Sequence, residues 1–227
     1  FTGPLYFLYK IATTINLCKE LKQKYPTQNF VPIYWMATED HDFDEINYFN
    51  FKDQKFRWNR ESKGPVGRLS TEGVDLVYEA LSKEIRLGNN AKYLLDLFKK
   101  SYLEHQNLAT ATRFLANELF KNEGLVIIDG DAKELKKLFV PHAKNELIQQ
   151  TSFKKVNETL PLLEKYTIQV NPREINLFYI QNELRERIIF ENGNYVINNT
   201  KLKFTEKELL IELENNPENF SPNVILR

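Results

Sequence analysis

Two short apolar runs constrain what this chain can fold into. Phe30-Val31-Pro32-Ile33-Tyr34-Trp35-Met36-Ala37 and Leu125-Val126-Ile127-Ile128-Asp129 each read as a buried strand. Most of the sequence between them has helical spacing. Val74, Val77, Leu81 and Ile85 predict one helix, with Gly88 as its C-terminal stop. Residues 90–122 predict one long or two short helices, with Gly124 after the last turn. Before the first run, Leu5, Leu8, Ile11, Ala12, Ile15 and Cys18 recur at helical spacing. Thr2 can cap that helix, and Pro4 suits its first position. Tyr48–Phe51 and Lys55–Trp58 flank a polar turn and can pair as a hairpin.

The last third changes character. Asp131 and Glu134 form a capping-box pattern for a helix to about Phe139, and Pro141 opens another helical stretch. Tyr166–Val170, Asn176–Ile180 and Arg187–Phe190 read as strands. Asn192-Gly193 then predicts a type I′ hairpin into Tyr195-Val196-Ile197. Thr205 with Glu208 is a capping box. The pattern predicts an α/β core over residues 1–140 and an antiparallel α+β region over residues 141–227.

Composition narrows the function classes. The 31 basic and 31 acidic residues cancel, so no nucleic-acid footprint is visible. No apolar stretch reaches the length of a membrane span. A single cysteine, Cys18, excludes an internal disulfide and a cysteine-built zinc site, and it fits a reducing, cytoplasmic setting. The opening Phe1-Thr2-Gly3-Pro4 reads as the start of a fragment. Phosphate-binding glycine loops of the Walker or dinucleotide type and a serine nucleophile elbow are missing from the sequence.

The chemistry concentrates where the first apolar run ends. Thr38-Glu39-Asp40-His41-Asp42-Phe43-Asp44-Glu45 places five carboxylates around one histidine. Their repulsion costs stability unless a cation, a ligand or water relieves it. In open α/β sheets, ligands bind outside the carboxyl ends of strands, where this cluster would sit. Among carboxylates, a histidine can serve as a cationic stabiliser or general acid. The ordinary alternative is a solvated acidic loop. Asp40, His41, Asp42 and Asp44 are also plausible metal ligands, but sequence neighbours seldom converge on one ion without further donors. Two further places attract anions. Thr2-Gly3-Pro4-Leu5 would expose backbone N–H groups at a helix start. Arg173, Arg185 and Arg187 lie near one strand pair and could grip an anion bidentately, unless Glu174, Glu183 and Glu186 are their partners.

Taken together, three segments resemble one family: Phe1-Thr2-Gly3-Pro4-Leu5-Tyr6 with Lys10; Trp35 through Glu45; and Pro172-Arg173-Glu174-Ile175-Asn176-Leu177-Phe178-Tyr179-Ile180 with Arg185 and Arg187. They resemble the bacterial cysteine-adding enzymes of bacillithiol biosynthesis, the cysteine ligases, and Gly124–Asp129 matches that family's second strand. The resemblance implies a Rossmann-like core of the nucleotidyltransferase and class I aminoacyl-tRNA synthetase kind, incomplete here, with a connecting α+β insertion that contains the hairpin. Family members are longer, so both ends would lie outside this chain, and so would a dimerising C-terminal coiled coil. The fragment alone is expected to be inactive.

The implied reaction joins the carboxylate of cysteine to the amine of glucosaminyl-malate after activation by ATP, with or without Mg2+, and it forms an amide. On that resemblance Thr2, Gly3, Pro4, Tyr6 and Lys10 would hold the nucleotide. His41, Asp40 and Asp42 would be catalytic. Glu39, Asp44, Arg173, Asn176, Arg185 and Arg187 would bind substrate, with no resident metal. A non-catalytic nucleotide- or sugar-binding scaffold, an interaction module built on the helices around Leu94–Leu119, and a metal-dependent hydrolase are the competing readings.

Overall fold

The structure is a computed structural model that describes residues 5–85 and 88–226. Two compact units divide the chain, Phe1–Gly130 and Asp131–Arg227. No helix among the described residues is long and apolar enough to cross a membrane.

In the first unit, helix α1 (Tyr6–Lys24) buries Phe7, Ile11 and Ile15, one residue per turn. The buried stripe is rotated from the predicted one. Phe7 replaces Leu5, which is exposed, and Cys18 is half-buried. This stripe packs on Ala116, Tyr34, Leu125 and Ile127. Strands β1 (Ile33–Met36) and β4 (Val126–Asp129) pair in parallel, with Met36 opposite Asp129. The expectation of a buried strand over residues 30–37 needs correction: β1 is shorter, and Ile33 and Trp35 are about half exposed. Side chains alternate across a strand, so Tyr34 and Met36 share one face, where Phe7 of α1 meets the Tyr34 ring, and Ile33 and Trp35 occupy the other.

Between the strands run the short helix α2 (Phe43–Ile46), the hairpin β2 (Tyr48–Phe51) and β3 (Gln54–Arg57), and helices α3 (Val74–Glu84), α4 (Asn89–Tyr102) and α5 (Leu108–Phe120). The 90–122 region is therefore two helices, the second capped by Asn107, whose side chain accepts from the Thr110 N–H. Gly88 does not stop α3; it precedes α4.

The second unit packs α6 (Lys133–Gln149) and α8 (Glu206–Asn215) on a five-stranded antiparallel sheet ordered β8-β7-β6-β5-β9. Its strands are β5 (Leu177–Gln181), β6 (Leu184–Glu191), β7 (Asn194–Ile197), β8 (Lys203–Phe204) and β9 (Phe220–Pro222). Helix α7 (Thr151–Thr159) buries none of its residues. Ala143, Leu147, Leu209 and Leu213 meet Leu177, Tyr179, Ile188, Tyr195, Ile197 and Phe220 in the core. Asn192 and Gly193 both have positive φ, as the type I′ turn requires, and the Thr205–Glu208 capping box is present.

Three expectations fail in this unit. Helix α6 runs through Pro141, so the division falls at Gly130/Asp131 and not at residue 140. A mid-helix proline costs about 3 kcal/mol, which the burial of Ala143 and Leu147 in the same helix offsets. Asp131 does not cap α6; it pairs with the buried Lys136 ammonium at 2.9 Å. The stretch 166–170 is not a strand: Tyr166, Ile168 and Val170 are all exposed, and among the described residues no strand pairs with them.

Candidate active site

The acidic segment begins where β1 ends. Asp40 N–H donates to the Ala37 carbonyl, which turns the chain, and His41 N–H donates to Asp40 Oδ1 at 2.8 Å. Phe43 then buries its ring edge-on against Trp58, 5.2 Å between centroids, and starts α2. Buried Met36 on one side and buried Phe43 on the other fix the turn. Asp40, His41 and Asp42 project from it with 44%, 50% and 53% of their side-chain surface exposed. His41 Nδ1 lies 3.4 Å from Asp40 Oδ1 and 3.7 Å from Asp42 Oδ1.

Behind the turn, Thr38 and Glu39 are buried. Thr38 Oγ1 donates to Asp129 Oδ1 at the end of β4. The loop 64–67 lies against the same segment. Gly67 N–H donates to the Thr38 carbonyl at 2.8 Å and Val66 N–H to the Asp40 carbonyl at 2.7 Å.

In front of the turn is a cavity of about 380 Å³. Helix α1 contributes Tyr6 and Lys10, β1 contributes Tyr34 and Trp35, and the turn contributes Asp40, Asp42 and Glu45. Lys10 Nζ lies over the Tyr6 ring. Burial, with a smaller contribution from Tyr102, holds the Tyr34 phenol proton well above its ordinary value, so Tyr34 is a neutral wall. Asp42 also lines a second, open cavity of about 650 Å³ with His41, Asp44, Arg60, Glu61 and Lys63. A third cavity, about 180 Å³ among Phe49, Phe56, Trp58 and Phe98, carries no charged lining residue and is a gap in the helical core.

The structure thus gathers four of the predicted residues, Tyr6, Lys10, Asp40 and Asp42, around one cavity, with His41 in the adjoining one. Thr2, Gly3 and Pro4 lie outside the described residues. Glu39 lines neither cavity; it is 1% exposed, which corrects its assignment as a substrate contact. Asp44 Oδ1 accepts from Asn47 Nδ2 and Arg57 Nη2, so one carboxylate of the burst is relieved by an arginine. Asp40, His41 and Asp42 each offer one ligand atom, all within 4.8 Å of one another. Three partly exposed donors fall short of the four that close a structural metal site.

The remaining predicted residues belong to the second unit. Asn176 is fully buried and its carboxamide is fully spent: Nδ2 donates to Glu146 Oε1 and the Arg173 carbonyl, and Oδ1 accepts from Arg173 N–H and Asn223 Nδ2. It folds the loop, and the expectation that it contacts substrate is corrected on that ground. Arg173 is exposed, its backbone held by Asn176. Arg185 stacks on Phe178, 3.9 Å from the ring centroid. In register, Arg187 faces Phe178 and Arg185 faces Ile180, so both arginines lie on the sheet face opposite the Leu177–Tyr179 core side.

Sequence reasoning missed Tyr34, Trp35, Arg60 and Lys63 as lining residues. The first two looked like core. Nothing in the local pattern marked the other two, which fold beside the turn through the β2–β3 hairpin.

A strand-end site on a parallel pair flanked by helices is the arrangement of an α/β domain, in which ligands bind outside the carboxyl ends of the strands. The chain belongs to the family described as bacillithiol biosynthesis BshC, N-terminal Rossmann-like domain, whose model matches residues 1–227. It is 65% identical over 227 residues to a Flavobacterium johnsoniae protein named "Putative cysteine ligase BshC" and 64% identical to the one of that name from Flavobacterium psychrophilum. In both, the match covers 100% of this chain and 43% of the relative. A Staphylococcus saprophyticus protein of the same name is 30% identical, over 100% of this chain and 45% of its own length. The chain therefore spans less than half the length of the curated relatives it matches.

Proposed function

We propose that this chain supplies the activation cleft of a cysteine ligase in bacillithiol biosynthesis, which joins the cysteine carboxylate to the amine of glucosaminyl-malate. The observation that carries this reading is the single cavity that gathers Tyr6, Lys10, Asp40 and Asp42 at a parallel strand end. A carboxylate is inert to an amine at neutral pH; ATP, with or without Mg2+, supplies the activation that turns one carboxylate oxygen into part of a phosphate leaving group. Lys10 at the start of α1 neutralises phosphate charge, next to the N–H groups of the helix start. Asp42, which lines both cavities, binds the incoming ammonium. It or Asp40 takes the proton released as the C–N bond forms. His41 offsets negative charge on the departing phosphate. The cytoplasm, where thiols stay reduced, is the matching compartment.

Exchange of labelled pyrophosphate into ATP by the full-length protein tests the activation step. Exchange that requires cysteine, and that falls about tenfold or more in Lys10→Ala, is the expected outcome. Such exchange reports a cysteinyl adenylate formed with release of pyrophosphate; bacillithiol formation without exchange would make the activated intermediate an acyl phosphate. Calorimetric binding of ATP and cysteine with no product at all would make the protein a scaffold.

A further inference from the structure

We propose that Gly67 and the Thr38–Asp129 hydrogen bond are positioning elements that set where the Asp40–His41–Asp42 turn stands; this rests on the turn being the reactive centre. About half of the turn's side-chain surface is in water, and within it Asp40 Oδ1 accepts the His41 N–H; the segment just before it adds further anchors. Thr38, fully buried, ties the end of β1 to the end of β4 through Asp129, across 91 residues of sequence. The 64–67 loop also lies close, and its Gly67 and Val66 N–H groups donate to the carbonyls of Thr38 and Asp40.

Gly67 is a glycine for space and not for conformation. A Cβ there would lie 2.5 Å from Thr38 Cβ, 2.8 Å from Thr38 Cγ2 and 2.9 Å from the Thr38 carbonyl oxygen. The last of these is backbone and cannot rotate away. Any side chain at 67 must therefore shift the Thr38–Asp40 segment and the 64–67 loop relative to each other, and Asp40 and Val66 both line the cavity. Displacing a reacting group by about 1 Å can cost on the order of 100-fold in rate.

Thr38 variants separate positioning from packing. Thr38→Ser keeps the hydroxyl and loses the methyl; Thr38→Val keeps the shape and loses the donor. In the full-length enzyme, amide formation in Thr38→Ser stays within about 3-fold of wild type, while kcat in Thr38→Val falls about 30-fold or more with KM for cysteine little changed. Gly67→Ala falls about 100-fold. The reverse order, an active Val variant and an impaired Ser variant, assigns Thr38 to packing and overturns the proposal, as does a fully active Gly67→Ala.

Hydrogen–deuterium exchange of the 38–42 amides provides a reading independent of catalysis. Thr38→Val speeds exchange there and Thr38→Ser does not; equal protection in both overturns the proposal even if the protein proves not to be a ligase. A wild-type protein without activity, or a fully active His41→Ala, defeats the functional reading alone.

Discussion

In the first unit, Asp40, His41 and Asp42 stand at a strand end with about half of their side-chain surface in water, while in the second unit Glu146 and Asn176 are sealed from solvent. In sequence, Asn176 and the acidic string look alike, each a polar residue or segment beside an apolar run. In the buried cluster every position is committed: Glu146 accepts from Asn176 N–H, Asn176 Nδ2 and Ser152 N–H, and Asn176 spends its whole carboxamide. The strand-end cluster keeps its carboxylates facing a cavity. A carboxylate bound by three donors stabilises a fold, and one that fronts a cavity can take a proton or an ammonium.

The largest effect that would break this contrast is catalytic. Asp42→Asn in the full-length enzyme is expected to lower kcat for amide formation by about 100-fold or more, with Tm within about 2 °C of wild type. A large loss of Tm would make Asp42 a structural residue like Glu146. Next comes stability. Glu146→Ala leaves buried donors unpaired and is expected to cost about 3 kcal/mol in urea unfolding. A change below about 0.5 kcal/mol would show that the buried network does not hold the unit.

A finer probe of the second unit is alkaline pH. Burial, reinforced by a hydrogen bond to Glu212, pushes the Tyr179 phenol from 10.0 up to about 12. The folded state therefore keeps a proton that the unfolded chain releases, and the stabilisation is complete below pH 10 and lost as pH rises through 12. The stability difference between wild type and Tyr179→Phe should shrink across that window, and a constant difference would contradict it. The smallest effect is at the surface. Asp44→Asn breaks an exposed 3.1 Å pair with Arg57 and is expected to change stability by less than about 1 kcal/mol.

What could be read in advance was local. The α1 helix, the Asn192-Gly193 turn and the Thr205–Glu208 box depend on residues a few positions apart, and each forms, though the buried stripe of α1 runs through Phe7 and not Leu5. Pro141 misled because burial of its own helix outweighs its local cost, and Tyr166–Val170 because alternation alone cannot supply a pairing partner. Within the site, the Glu-Asp-His-Asp string marked the location. It could not separate buried Glu39 from exposed Asp42, since the contacts that pack this segment, from the 64–67 loop and β4 to Thr38 and Asp40, come from residues distant in sequence. Asn176 stood beside arginines and looked like a ligand contact for the same reason: its partners Glu146 and Asn223 lie 30 and 47 residues away.

The central claim, that the turn at the end of β1 is the reactive centre, is tested most directly by His41→Ala. Amide formation from cysteine, glucosaminyl-malate and ATP should be measured in the full-length enzyme, with thermal unfolding recorded alongside. A rate lowered about 100-fold at unchanged Tm is the predicted result; a wild-type rate from a normally folded variant would contradict it.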